Sequence, residues 1–138
     1  MRTLAFLLLA VAMAAFAGPN LANQAMDRPL EEKVAASDIV FLGTVQQLDY
    51  APPSGKKVVG RTALVHVDTP LKGNPKGDVL VAYDTGEWEL SPECCDMGRV
   101  YLFFLRKAPN GTYVSAAGQF GIYMVKGMAP TFPWQMTE

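Results

Sequence analysis

Histidine is almost missing from this chain of 138 residues, and the single example, His66, excludes a multi-histidine metal centre built within one copy. Cysteine is nearly as scarce. The two cysteines, Cys94 and Cys95, are neighbours, so they cannot staple distant segments together, and the apolar core has to hold the fold. An excess of positive charge is also lacking: 12 Lys and Arg stand against 13 Asp and Glu, a formal net charge of −1. Without a basic field there is nothing to hold a phosphate backbone, which excludes a nucleic-acid partner. No internal repeat and no low-complexity tract is present, and beyond the first 17 residues no apolar run reaches the roughly 20 residues that span a bilayer.

What is present begins with Met1 to Ala17. Arg2 precedes an uncharged apolar run from Leu4 to Phe16, and Ala15-Phe16-Ala17 supplies small residues around a cleavage point. This is the pattern of a secretory signal peptide, so the chain is expected to be exported, either secreted or periplasmic. No cysteine sits at the cleavage point, so no lipid anchor is expected, and no stable membrane anchor is expected once the leader is removed. Residues 18–28 read as a flexible lead-in, and residues 127–138, with Pro130, Pro133 and Trp134, as an irregular tail. The remainder has the size of one domain.

That domain reads as mainly β. Asp27, Pro29, Glu31 and Glu32 mark the start of one short helix ending near Ser37, with Leu30, Val34 and Ala35 facing inward. Ile39 to Leu48 is apolar on both faces at first and mixed after Thr44. It reads as a long strand, with Gly43 at a bulge or barrel bend. Tyr50 to Gly60 is an exposed loop by its prolines, lysines and glycines. From Thr62 to Asp68 the chain alternates, with Ala63, Val65 and Val67 on one face. The turn-forming stretch from Lys72 to Gly77 then leads into Val79 to Tyr83, an antiparallel partner. Val100 to Leu105 is the most apolar strand after the leader. Pro109-Asn110-Gly111 signals a hairpin into Thr112 to Ser115, and Ile122 to Val125 is the last strand. Five or six strands with one helix in this length fit a small Greek-key barrel or a sandwich.

Several phrases carry a resemblance that favours the barrel. Ala36-Ser37-Asp38-Ile39-Val40-Phe41-Leu42-Gly43-Thr44-Val45, then Val67-Asp68 with Leu71-Lys72-Gly73 and Gly77-Asp78-Val79, then Cys95 ahead of Gly98-Arg99-Val100-Tyr101-Leu102-Phe103-Phe104-Leu105, resemble the exported bacterial relatives of tissue inhibitors of metalloproteinases. The resemblance implies a netrin-like module over residues 29–126, a small OB-type Greek-key barrel with one short flanking helix. In the animal inhibitors an N-terminal cysteine, held by disulfides, chelates the protease zinc. No cysteine precedes Cys94 here, so that mechanism has no matching residue and the resemblance implies a fold rather than an activity.

The residues offer four candidate sites. Glu93-Cys94-Cys95-Asp96-Met97 presents two thiols and a thioether to a soft ion such as Cu(I), with Cys94, Cys95 and Met97 as ligands. Two neighbouring ligands fall short of a closed site, and a vicinal disulfide is the favoured reading in an oxidising compartment. His66 and Cys95 could serve as base and nucleophile, but nothing in their spacing brings them together and the surrounding charge is acidic. Asp84-Thr85-Gly86-Glu87-Trp88-Glu89 lacks the spacing of a calcium loop, although Trp88 is a large apolar group among polar neighbours and suits a protein partner. Asn110-Gly111-Thr112 matches a glycosylation sequon, which its turn chemistry explains. No catalytic set assembles and no cofactor is called for. The expectation is a non-enzymatic binding module using Trp88, Cys94 and Cys95, with a periplasmic copper-binding protein as the alternative.

Overall fold

The computed structural model describes residues 27–52, 55, 60–84, 86 and 91–125. The segment expected to be a signal peptide, residues 1–17, most of the expected lead-in, and residues 126–138 at the C-terminus lie outside the described residues. The helix α1 (Leu30–Ala36) is followed by β1 (Ile39–Leu48), β2 (Arg61–Lys72), β3 (Asp78–Asp84), β4 (Val100–Lys107), β5 (Tyr113–Ser115), a 3₁₀ turn (Gly118–Phe120) and β6 (Ile122–Met124). No helix among the described residues is long and apolar enough to cross a membrane.

The strands close into a barrel. β2 pairs antiparallel with β1 and β3, β5 runs parallel to β3 and antiparallel to β4, and β4 returns to pair antiparallel with β1. This order, 1-2-3-5-4 and back to 1, is that of a five-stranded OB-type barrel, in which closure leaves no long edge unpaired. β6 continues along the same side of β4 that β5 occupies, opposite Tyr101, Leu102 and Phe103.

Alternation along each strand fills the interior. Phe41, Ala63, Val65, Val81, Phe103 and Leu105 have no measurable exposure, and Phe41 stacks on Phe103 with ring centroids 5.0 Å apart. Each large apolar side chain buried this way contributes about 1.5–3 kcal/mol, and these residues hold the barrel shut. Gly43 sits where β1 slips register against β2. A Cβ there would come within 2.7 Å of the His66 carbonyl, the Phe41 ring and Val65, so only glycine lets the two strands approach this closely.

A second, smaller layer lies outside the barrel. Val40 and Phe104 face each other across β1 and β4 and are buried, and the Phe104 ring meets Tyr123 edge-on at 6.2 Å. The helix α1 lies against β4, but through a different residue from those expected. Leu30 is 60 % exposed, Ala35 is exposed and Val34 is only half-buried, whereas Lys33 is buried. Lys33 can occupy the inward face because its ammonium is bonded to the Tyr123 hydroxyl and the Asp27 carboxylate, and lies 4.7 Å from the Tyr123 ring centre. Pro29 caps the helix without a side-chain bond, and Asp27 is drawn to Lys33 instead.

β2 runs four residues beyond its alternating portion. Thr69, Pro70 and Lys72 pair with Leu42, Phe41 and Val40 across two irregularities of register, and Pro70 is accommodated beside one of them. Lys72 thus ends the strand instead of opening the turn, and its ammonium accepts the task of satisfying the end of α1. It donates to the carbonyls of Val34 and Ser37, each at 2.6 Å. At the hairpin, the Asn110 carboxamide oxygen accepts the Thr112 amide at 3.1 Å and the Thr112 hydroxyl at 2.6 Å, which accounts for both residues as turn chemistry.

Candidate functional site

Residues 91–98 lead into β4, and within them the sulfurs of Cys94 and Cys95 are joined in a disulfide. The loop is fixed at several points. Cys94 N–H donates to the Pro92 carbonyl at 2.9 Å, and Arg99 N–H to the Asp96 carbonyl at 3.2 Å. Asp96 N–H donates to the Tyr101 hydroxyl at 2.9 Å, and Gly98 N–H to the Val45 carbonyl at 2.8 Å. Cys95 belongs to the core cluster, and Cys94 is half-buried against it. The loop is therefore anchored from inside by Cys95 and Tyr101 and along the barrel rim by β1.

This loop lines an open groove of about 740 Å³. Residues 91–96 supply part of the lining with Glu93, Cys94, Cys95 and Asp96, and residues 119–124 supply more with Phe120, Tyr123 and Met124. Arg61 and Tyr101 also contribute to it. The lining combines aromatic and sulfur-bearing surface with charged groups of both signs, as small ligand sites and interface cores commonly do.

Arg61, the cation on the groove, is ion-paired. Arg61 Nε and Nη2 donate to the two carboxylate oxygens of Asp49 at 3.1 and 3.3 Å, which lowers the Asp49 pKa and raises that of Arg61. The same guanidinium stands over the Tyr83 ring, 5.5 Å from its centre. The Tyr83 hydroxyl is buried and has no hydrogen-bond partner among the described residues, and burial raises its pKa. Burial also raises that of Tyr101, whose hydroxyl does have a partner. For Lys33, burial opposes the charge, but the bonds to Asp27 and Tyr123 outweigh it and the pKa is raised.

The candidate residues fall in separate places. Cys94 and Cys95 come together on the groove, joined to each other. Met97 is 45 % exposed and is not among the groove residues, whereas Met124, which pattern reading treated only as part of a strand, is. Trp88 lies outside the described residues, as do Thr85, Glu87 and Glu89 of the acidic loop. Asp84 accepts the Gly86 amide at 3.0 Å. His66 is on an exposed strand face, bonded through Nδ1 to Asp78 at 2.9 Å, while the disulfide leaves Cys95 without a free thiol to pair with it. Among the described residues no group of three or more His, Cys, Asp and Glu side chains is placed to hold a metal ion.

Comparison with known proteins gives no family assignment: no protein-family model matches the chain, and a search of curated proteins returns no match.

Arg61, Tyr101, Phe120, Tyr123 and Met124 are groove residues that pattern reading did not single out. Tyr101 and Tyr123 were legible as strand residues, but nothing in their spacing shows where a hydroxyl at the far end of the ring will land.

Proposed function

We propose that this protein is an exported, non-enzymatic binding module of netrin-like type, which engages a protein partner through the Cys94–Cys95 loop and Trp88. The observation that carries the reading is the loop itself: cross-linked, bonded to the barrel at Tyr101 and Val45, and lining an open groove. A loop ordered before binding loses little conformational entropy when a partner docks, and that saving appears as affinity. The groove offers Phe120 and Tyr123, residue types that serve as contact anchors, beside the polar groups Glu93, Asp96 and Arg61.

The netrin-like assignment is supported by the sequence phrases together with the OB-type strand order, and that order is shared by barrels of many functions. Export is supported by the Met1 to Ala17 pattern. The non-enzymatic reading is supported by the pairing of His66 with Asp78 and by the disulfide, which leaves neither cysteine as a nucleophile.

The test is comparative capture from the exported fraction of the producing cell. Wild-type protein and a Trp88→Ala/Cys94→Ala/Cys95→Ala variant, both shown to be folded, are used as baits, and bound proteins are quantified by mass spectrometry. A partner retained by the wild type and lost from the variant supports the reading. Identical capture by the two baits refutes the assigned surface.

A further inference from the structure

We infer that the groove is a redox-gated site for a soft monovalent cation, Cu(I), in which reduced Cys94 and Cys95 act together with Met124. The inference goes beyond the binding-module reading and rests on one juxtaposition: three sulfur-bearing side chains line the same groove.

The position of Met124 follows from the sheet. Met124 is directly opposite Tyr101 in the β4–β6 ladder, and opposed residues on neighbouring strands project their side chains to the same face, with Cβ atoms about 4.5–5.5 Å apart. The Tyr101 ring extends from that point until its hydroxyl accepts the Asp96 amide, the residue next to Cys95. Tyr101 and Cys95 also share the core cluster. The methionine therefore starts beside the tyrosine whose other end holds the cysteine loop. Its side chain is 47 % exposed and unbranched, so its thioether is free to swing along the groove. Met97 lies nearer to the cysteines in sequence and is about as exposed, but it is not a groove residue.

In the oxidised protein the two cysteine sulfurs are bonded to each other and hold no thiolate for a metal. Opening the site requires two electrons and two protons, supplied by a dithiol reductant of the Cys-x-x-Cys class. One thiolate of that reductant attacks the sulfur of Cys94, the more exposed residue of the two, and the S–S bond breaks with Cys95 leaving as a thiolate that takes a proton. The second reductant thiolate then attacks the mixed disulfide, Cys94 is released and protonated, and the reductant departs as its own disulfide. Cu(I) next displaces the two thiol protons and is held by two thiolates and the neutral Met124 thioether, a donor set that soft Cu(I) favours. Glu93 and Asp96 keep the surroundings negative, which favours a cation over an anion.

The experiment titrates Cu(I), supplied as its acetonitrile complex under anaerobic conditions, against the colorimetric chelator bathocuproine disulfonate. It uses purified protein either left oxidised or reduced with dithiothreitol and freed of it by desalting. One equivalent should be taken up by the reduced protein and none by the oxidised protein. Met124→Leu should weaken uptake about tenfold or more, and Met97→Leu should leave it within about twofold. A Cys94→Ser/Cys95→Ser variant should take up none; if that variant fails to fold, the oxidised wild type and Met124→Leu carry the comparison. Equal uptake by oxidised and reduced protein, no uptake by reduced protein, or full affinity in Met124→Leu would each overturn the inference. None of these outcomes touches the capture experiment, which is performed on oxidised protein.

Discussion

The amide of Asp96 donates to the hydroxyl of Tyr101 at 2.9 Å, so that a residue directly after the disulfide is tied to the strand that closes the barrel. Tyr83, equally deep in the same core, has a hydroxyl with no partner among the described residues. The two tyrosines should consequently respond in opposite ways to loss of the oxygen. Tyr101→Phe is expected to cost about 1 kcal/mol and to speed amide exchange across residues 94–98, because it strands the Asp96 N–H. Tyr83→Phe is expected to stabilise the fold by about 1 kcal/mol, since it removes a buried polar atom that has no partner among the described residues while keeping the ring beneath Arg61. Urea denaturation of the two variants measures both signs.

Two glycines should be intolerant of alanine for separable reasons. At Gly43 the added methyl meets a backbone carbonyl and two core side chains at 2.7 Å, and overpacking of this kind costs about 1–3 kcal/mol. At Gly73 the backbone has φ of +75°, and the methyl would also run into the Asp38 carbonyl and Ile39. Gly77→Ala is the control, because it shares the positive φ but its added carbon has no described atom within 4 Å. Thermal unfolding should rank Gly77→Ala as the mildest of the three.

Alkaline pH should destabilise the protein through three groups. The folded-state pKa values of Lys33, Tyr83 and Tyr101 are all raised. Between the unfolded and folded values the native state holds more protons than the unfolded one, so stability is fully present below about pH 10 and is lost as pH rises through the folded values. Lys33→Met should flatten this loss and change stability at neutral pH by about 1 kcal/mol or less, because the Asp27 it releases is 55 % exposed and is hydrated. Asp49 behaves in the reverse sense: its pKa is lowered by Arg61, and that contribution is present above about pH 4 and lost as pH falls through the folded value. The pair is exposed, so the acid effect should be small and should fade with added salt.

The disulfide should matter little to global stability. A cross-link restricts the unfolded chain in proportion to the loop it closes, and adjacent residues close almost none. Reduction is expected to lower the unfolding free energy by less than about 1 kcal/mol, whereas Phe41→Ala, which empties a position at the centre of the barrel, should cost about 3–5 kcal/mol. Paired denaturation curves with and without dithiothreitol, beside the alanine variant, provide the comparison.

The barrel was legible in the sequence because its signals are local. Ile39 to Leu48 carries its own boundaries, Ala63, Val65 and Val67 declare their face by alternation, and Asn110-Gly111 marks its hairpin. β2 was read short because Thr69 to Lys72 has no alternation, and its pairing depends on bulges set by the partner strand. The inward face of α1 was misread because lysine is ordinarily a surface residue. Its partner Tyr123 is 90 positions away, and no local rule joins the two. The adjacency of Cys94 and Cys95 was evident from the sequence, and the disulfide observed between them is the reading that an oxidising compartment favoured. The groove was not legible, since Arg61, the Cys94–Cys95 loop, Tyr101, Phe120, Tyr123 and Met124 come from separate parts of the chain that only the strand order brings together.

The central claim, that the protein binds through the face around the cysteine loop, is tested most directly by photo-crosslinking in the producing cell. A benzophenone-bearing amino acid is placed at Glu93, exposed in the loop, and separately at Asp68, exposed on β2. A discrete adduct with a second protein from position 93 and none from position 68 is the expected result. Adducts from position 68 alone, or no adduct from position 93, would contradict the account.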